Sequence, residues 1–212
     1  MRLKFDEQLR QLNNEMILMG DMIQKAIQDT IEAFFNQNTE KAKQIMKDDE
    51  LVDQEQKKIE NICFQLLIQQ QPVARDLRTI TAAMKMVTDM ERIGDQAADI
   101  AELTIMISDS PYLLNVENIK RMSAETVTML LQAISAYVER DMEKACQVIE
   151  HDDIVDELFV KVKKDLIEVM QNNADYAEHA ADLLMVNKYL ERIGDHATNI
   201  AEWVIFSIDD HK

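Results

Sequence analysis

Carboxylates spaced four residues apart are the groups in this chain whose type and spacing could do chemistry. Asp49 and Asp53 form one such pair; Glu91, Asp95 and Asp99 continue the same step, with Glu102 beyond them. About a hundred residues later the pattern returns as Asp152 and Asp156, then Glu191, Asp195, Asn199 and Glu202. Side chains four apart share one face of an α-helix, so each series is an acidic stripe. Like charges at that spacing repel by about 0.2–0.5 kcal/mol a pair, and alternating signs would serve solubility better. Four carboxylates brought together cannot all ionise uncompensated: some hold protons, or a cation enters. Oxygen donors on rigid helices suit hard or borderline cations such as Mg²⁺, Mn²⁺, Ca²⁺ or Fe. The competing reading is a solvated acidic face whose charge is partly absorbed by Arg92 and Arg192.

The elements that must position these stripes are long helices. In 212 residues there are only three glycines and two prolines, too few punctuators for the turns of a β-sandwich or a doubly wound sheet. Fourteen methionines and a 47% apolar content supply a core that packs well between helices. The pattern predicts an all-α chain with helices over 5–35, 39–70 and 76–108, then 116–139, 141–171 and 174–206. Asn38 or Thr39 is expected to cap the second helix, Asp76 the third, and Ser110-Pro111 to precede the fourth. On the third helix Met86, Met90, Ile93, Ala97, Ile100, Thr104 and Ile107 form the apolar stripe, nearly opposite the acids. Folding the second and third helices about residues 72–73 sets Asp53 beside Glu91 and Asp49 beside Asp95. The same operation near 172–173 sets Asp156 beside Glu191 and Asp152 beside Asp195.

That the register holds twice reflects an internal duplication. Glu91-Arg92-Ile93-Gly94-Asp95 recurs as Glu191-Arg192-Ile193-Gly194-Asp195, and the stretch 40–53 resembles 143–156. Two tandem antiparallel three-helix bundles, 1–109 and 110–212, are the economical architecture. Gly94 and Gly194, inside helices at a cost of roughly 1 kcal/mol each, are expected to serve close helix packing on the border of the apolar stripe, away from the acids. His151 and His196 adjoin acidic positions and are expected to be exposed helix residues rather than ligands.

Charge and residue types exclude several function classes. A formal charge of −17 and no run of basic residues speak against nucleic acid. Charges interrupt every apolar stretch before it could span a bilayer, and Met1 to Asp6 lack the apolar core of a signal peptide, so a cytoplasmic chain is expected. Cys63 and Cys146 lie far apart and read as free thiols of a reducing compartment. No Glu stands three residues before any His, as ferritin-like di-iron sites require, and no glycine-rich loop or nucleophile–base grouping can be assembled. The chain reads as a non-enzyme.

The doubled Glu-Arg-Ile-Gly-Asp, the Asp76-Leu77-Arg78 after a proline-containing turn and the two acid pairs together resemble the PhoU family of phosphate-transport accessory and regulatory proteins. The resemblance covers essentially the whole chain. It implies two three-helix bundles with multinuclear metal clusters, of Fe, Mn, Mg or Zn, on their surfaces. The positions it assigns to metal are Asp49, Asp53, Glu91 and Asp95, with Asp99 an additional candidate, and Asp152, Asp156, Glu191 and Asp195. Asn199 in place of a second Asp99 implies weaker loading of the second set. It further implies a cytoplasmic homodimer without enzymatic activity, coupling the phosphate ABC transporter ATPase to a sensor histidine kinase and restraining the phosphate-starvation response. The alternatives are a metal-buffering or scaffold protein with the same acidic faces, and a paralogue serving another phosphate carrier.

Overall fold

In the computed structural model, which describes residues 2–70, 72, 74–108 and 117–209, the chain is all-α. Its helices are α1 (Arg2–Phe35), α2 (Thr39–Gln70), α3 (Ala74–Met106), α4 (Glu117–Glu139), α5 (Met142–Asn172) and α6 (Ala177–Ile208), with a 3₁₀ turn Ala174–Tyr176 leading into α6. Among the described residues there is no strand, and no helix is long and apolar enough to cross a membrane.

The turn from α1 to α2 and the turn from α4 to α5 are built alike. Gln37 (φ 50°) and Arg140 (φ 53°) each take the left-handed conformation that ends a helix. The next residue's N–H then reaches back five residues, Asn38 to the Ala33 carbonyl and Asp141 to that of Ala136, both at 2.9 Å. The side chains of those same two residues cap the following helix: Asn38 Oδ1 accepts from Lys41 N and Asp141 Oδ1 from Lys144 N, each at 3.0 Å. Asp141, expected as a helical residue, is therefore the cap of α5. Asp76 departs from expectation too: α3 begins at Ala74, which puts Asp76 inside the first turn, where its charge complements the helix dipole. The Ser110-Pro111 cap lies outside the described residues.

Helices α1, α2 and α3 pack on one another, as do α4, α5 and α6, and α3 packs on α6 almost as extensively as on α2. The expected stripe of α3, from Met86 to Ile107, is wholly buried. Methionines fill much of the interior: Met16, Met19, Met86, Met90, Met122 and Met129 are all fully buried. One continuous apolar core draws on all six helices, so the halves share an interior rather than touching at a rim. Thr30 and Thr126, both buried, donate to the carbonyls of Ala97 (3.3 Å) and Leu190 (3.4 Å).

Candidate metal centre

The α2–α3 hairpin brings its acids together in the register that the spacing predicts. Asp53, Glu91 and Asp95 each offer a carboxylate oxygen, and the three lie within 4.8 Å of one another. Asp49 stands one turn away on α2, against Gly94. A Cβ added at Gly94 would lie 3.1 Å from Asp49 Oδ1 and 3.1 Å from Val52 Cγ1. The glycine does serve close helix packing, yet it faces an acid, contrary to the expectation that it lies away from them. On an antiparallel pair the residue between Glu91 and Asp95 that points at α2 necessarily meets the acid there.

Crowding has an electrostatic signature. Burial, then the charges of Asp95, Asp53, Glu91 and Asp99, push the Asp49 carboxyl up to about 6. Glu91 is also raised, by burial first and Asp95 second, with Arg92 opposing. Glu91 Oε2 is buried and accepts no hydrogen bond; Arg92 Nε is 3.5 Å away. Arg92, itself largely exposed, donates instead to Asp95 at 2.9 Å. The donor set fits a cation on these observations: oxygens only, three converging, one buried oxygen without a donor, and too little positive charge to balance them.

The second hairpin repeats the arrangement more loosely. Asp152 is likewise pushed up to about 6, by burial and then Asp156, Asp195, Asp153 and Glu191. Asp195 is raised by burial and Glu191, with Lys188 opposing. A Cβ at Gly194 would meet Asp152 Oδ1 and Val155 Cγ1 at 3.4 Å, a wider gap than at Gly94. Asp156 and Asp195 are exposed where Asp53 and Asp95 are half-buried. Among the described residues, three carboxylates converge within 4.8 Å in the first hairpin only. Lys188 supplies a reason: its ammonium bonds Glu191, whereas Thr88, at the equivalent place in the first half, turns its hydroxyl to the Met84 carbonyl.

Asp99 is not drawn into the converging trio. It accepts a hydrogen bond from the Tyr189 hydroxyl across the α3–α6 seam, and burial raises its carboxyl despite that bond. Asn199, its counterpart, also faces the seam, donating to Asp89 Oδ1 at 3.0 Å. The seam therefore carries Asp99–Tyr189 on one side and Asp89–Asn199 on the other. The histidines differ from expectation as well. His196 pairs with Asp89 (Nδ1 to Oδ1, 2.8 Å) and His151 with Glu125 (Nε2 to Oε2, 2.8 Å), each tying two helices and each part-buried. Neither partner was legible in sequence, because Asp89 and Glu125 stand in no acidic stripe. The thiols behave as expected: Cys63 and Cys146 are free, and burial pushes Cys63 up to about 12.

Comparison with known proteins identifies the family and the fold. A family model, the PhoU domain, matches residues 16–104 and again 119–204. A phosphate-specific transport system accessory protein PhoU homolog of Clostridium acetobutylicum is 38% identical over 205 residues, spanning 96% of this chain and 94% of the relative. A homolog of the same name from Aquifex aeolicus is 34% identical over 190 residues, spanning 90% and 86%. The crystal structure of PhoU from Pseudomonas aeruginosa superposes with a TM-score of 0.94 at 28% identity, covering 96% of this chain and 98% of that one. That of the phosphate transport system regulatory protein PhoU from Streptococcus pneumoniae gives 0.89 at 25%, covering 96% of each. With the doubled domain match spanning most of its length and the same helical architecture throughout, the chain belongs to the PhoU family.

Proposed function

We propose that this protein is an accessory regulator of phosphate uptake, organised as two repeats, 1–109 and 110–212, that hold metal ions on their carboxylate faces. Its partners in this reading are the phosphate ABC transporter ATPase and a sensor histidine kinase, and its working form is a cytoplasmic homodimer that restrains the phosphate-starvation response. The regulatory role is supported by the relatives' names, which place them as accessory proteins of phosphate-specific transport. The metal role is carried by one observation, the convergence of Asp53, Glu91 and Asp95. Asp49 would complete the first set, and Asp152, Asp156, Glu191 and Asp195 would form the second, weaker one. A bound cation supplies positive charge that lets every carboxylate ionise and braces α2 against α3. Regulation of this kind requires that two states of the transporter bind the protein with different affinity, since a ligand indifferent to the two states shifts nothing.

Two measurements test the reading. Elemental analysis of purified protein should find metal that is lost from a variant carrying Glu91→Gln, Asp95→Asn, Glu191→Gln and Asp195→Asn; no metal in either would leave the acids as a docking surface. Deleting the gene should turn on phosphate-scavenging genes in phosphate-replete medium. Unchanged expression would overturn the regulatory reading in favour of a scaffold.

A further inference from the structure

At the end of the molecule remote from the acids' register, four helices enclose a cleft of about 490 Å³. Arg10 of α1, Arg75 of α3 and Arg140 of the α4–α5 turn all line it, with Asn13, Asn14 and Thr79 between them and Leu12 and Val138 as apolar wall. Asp76 is the one acid among the lining residues, so three cations face one anion there. In a chain of formal charge −17 this local excess of positive charge is out of character.

The three arginines have no acid partner among the described residues. Two neighbouring groups are engaged elsewhere. Glu139, next to Arg140, takes Lys144 at 2.9 Å and the Ser135 hydroxyl at 2.7 Å. Arg78, one turn along α3, donates to the Asp209 carbonyl and lies 5.1 Å over the Phe206 ring. Arg140 holds a left-handed backbone (φ 53°), as Gln37 does in the matching turn, so glycine can replace it there without strain. Arg75 lies in the first turn of α3, where the helix dipole adds positive potential.

We propose that this cleft binds a small phosphate-type oxyanion. Guanidinium forks match phosphate oxygens with paired hydrogen bonds, and the Asn13 and Asn14 amides add neutral donors, the Thr79 hydroxyl being spent on the Arg75 carbonyl. The volume falls within the range of small-molecule sites, about 300–1,000 Å³, and exceeds what inorganic phosphate fills, so a phosphate ester with an organic body is the better match than the free ion. The site draws residues from both halves of the chain and does not depend on the metal reading or on the regulatory one.

Isothermal titration of the full chain with inorganic phosphate and with ATP, both in excess EDTA, tests it; the chelator removes any anion binding bridged by metal at the acids. The expectation is saturable binding of at least one probe, one per chain, weakened about tenfold or more in Arg75→Gln/Arg140→Gly and unchanged in Asp53→Asn/Glu91→Gln. Tighter binding of ATP assigns the site to a phosphate ester, and tighter binding of phosphate to the free ion. Arg140→Gly relieves the backbone while removing the charge, and glutamine is a good helix former at 75, so the variant should keep wild-type helicity by circular dichroism. No saturable binding of either probe at low millimolar concentration overturns the proposal. Equal affinity in the folded arginine variant, or loss of binding in the acid variant, does so too.

Discussion

Asp49 lies against Gly94 with its carboxyl pushed from an ordinary 3.8 up to about 6. A folded value above the unfolded one means that the native state holds the proton more tightly. The group therefore costs nothing below about pH 4, and stability is lost as pH rises through 6. The full shift would correspond to roughly 3 kcal/mol, and with the group half-exposed to water about 1 kcal/mol is the realistic share. Asp49→Asn should thus be more stable than the wild type in EDTA above pH 6, by about 1 kcal/mol, with the gap closing near pH 4. Urea unfolding at a series of pH values reads this directly, and a wild type at least as stable at neutral pH would refute it. The glycines make a second pair of expectations. Each gains up to about 1 kcal/mol of helix propensity on going to alanine. At Gly194 the 3.4 Å neighbours are ordinary contacts, and Gly194→Ala should raise the melting temperature. At Gly94 the methyl group meets Asp49 and the stiff Val52 at 3.1 Å, so Gly94→Ala should forfeit that gain or melt earlier than the wild type.

At the scale of the helix hairpin, the two acidic faces share a register and differ in one cation. Lys188 on α6 holds Glu191, and the corresponding Thr88 on α3 leaves Glu91 to face Asp53 and Asp95. Asn199 in place of Asp99 suggests by itself a poorer second set, but both of those residues face the α3–α6 seam. The competing charge is on Lys188. Lys188→Thr should therefore raise the metal content of the second hairpin, read by elemental analysis in an Asp53→Asn/Glu91→Gln background. Asn199→Asp should change it little. If Asn199→Asp restores loading and Lys188→Thr does not, the difference lies in the count of acids and not in competition for Glu191.

Across the whole molecule, the α3–α6 seam joins the halves through one apolar core and through polar pairs at its edges. Separating the halves would expose apolar surface of α3 and α6 that water penalises at about 25 cal/mol per Å². We expect residues 1–109 and 110–212, expressed as separate chains, to be poorly folded alone and to recover helicity and co-elute when mixed. Two halves that each fold and stay apart in size-exclusion chromatography would contradict this. The intact chain should likewise unfold in one transition rather than two.

Helical class, helix count and acid register follow from the sequence alone, because they depend on local periodicity. Few punctuators, a 3.6-residue apolar stripe and a repeated four-residue acid step leave little choice once a short turn folds α2 onto α3. The cap at Asn38, one of two candidates beside Thr39, is legible for the same reason: a cap acts on backbone within three residues of itself. Asp141, expected inside α5, caps it instead, because local pattern leaves a helix end open by a residue or two. What the sequence could not show are contacts between groups far apart along it. Asp89 with His196, Asp99 with Tyr189, and Arg10, Arg75 and Arg140 around one cleft have no common motif. Periodicity places a side chain on a face of its own helix, and only the packing of α3 against α6 and of α1 beside α4 decides which faces meet. The same limit misplaced Gly94, whose neighbour Asp49 is set by the approach of α2 and not by the angle of the glycine on α3.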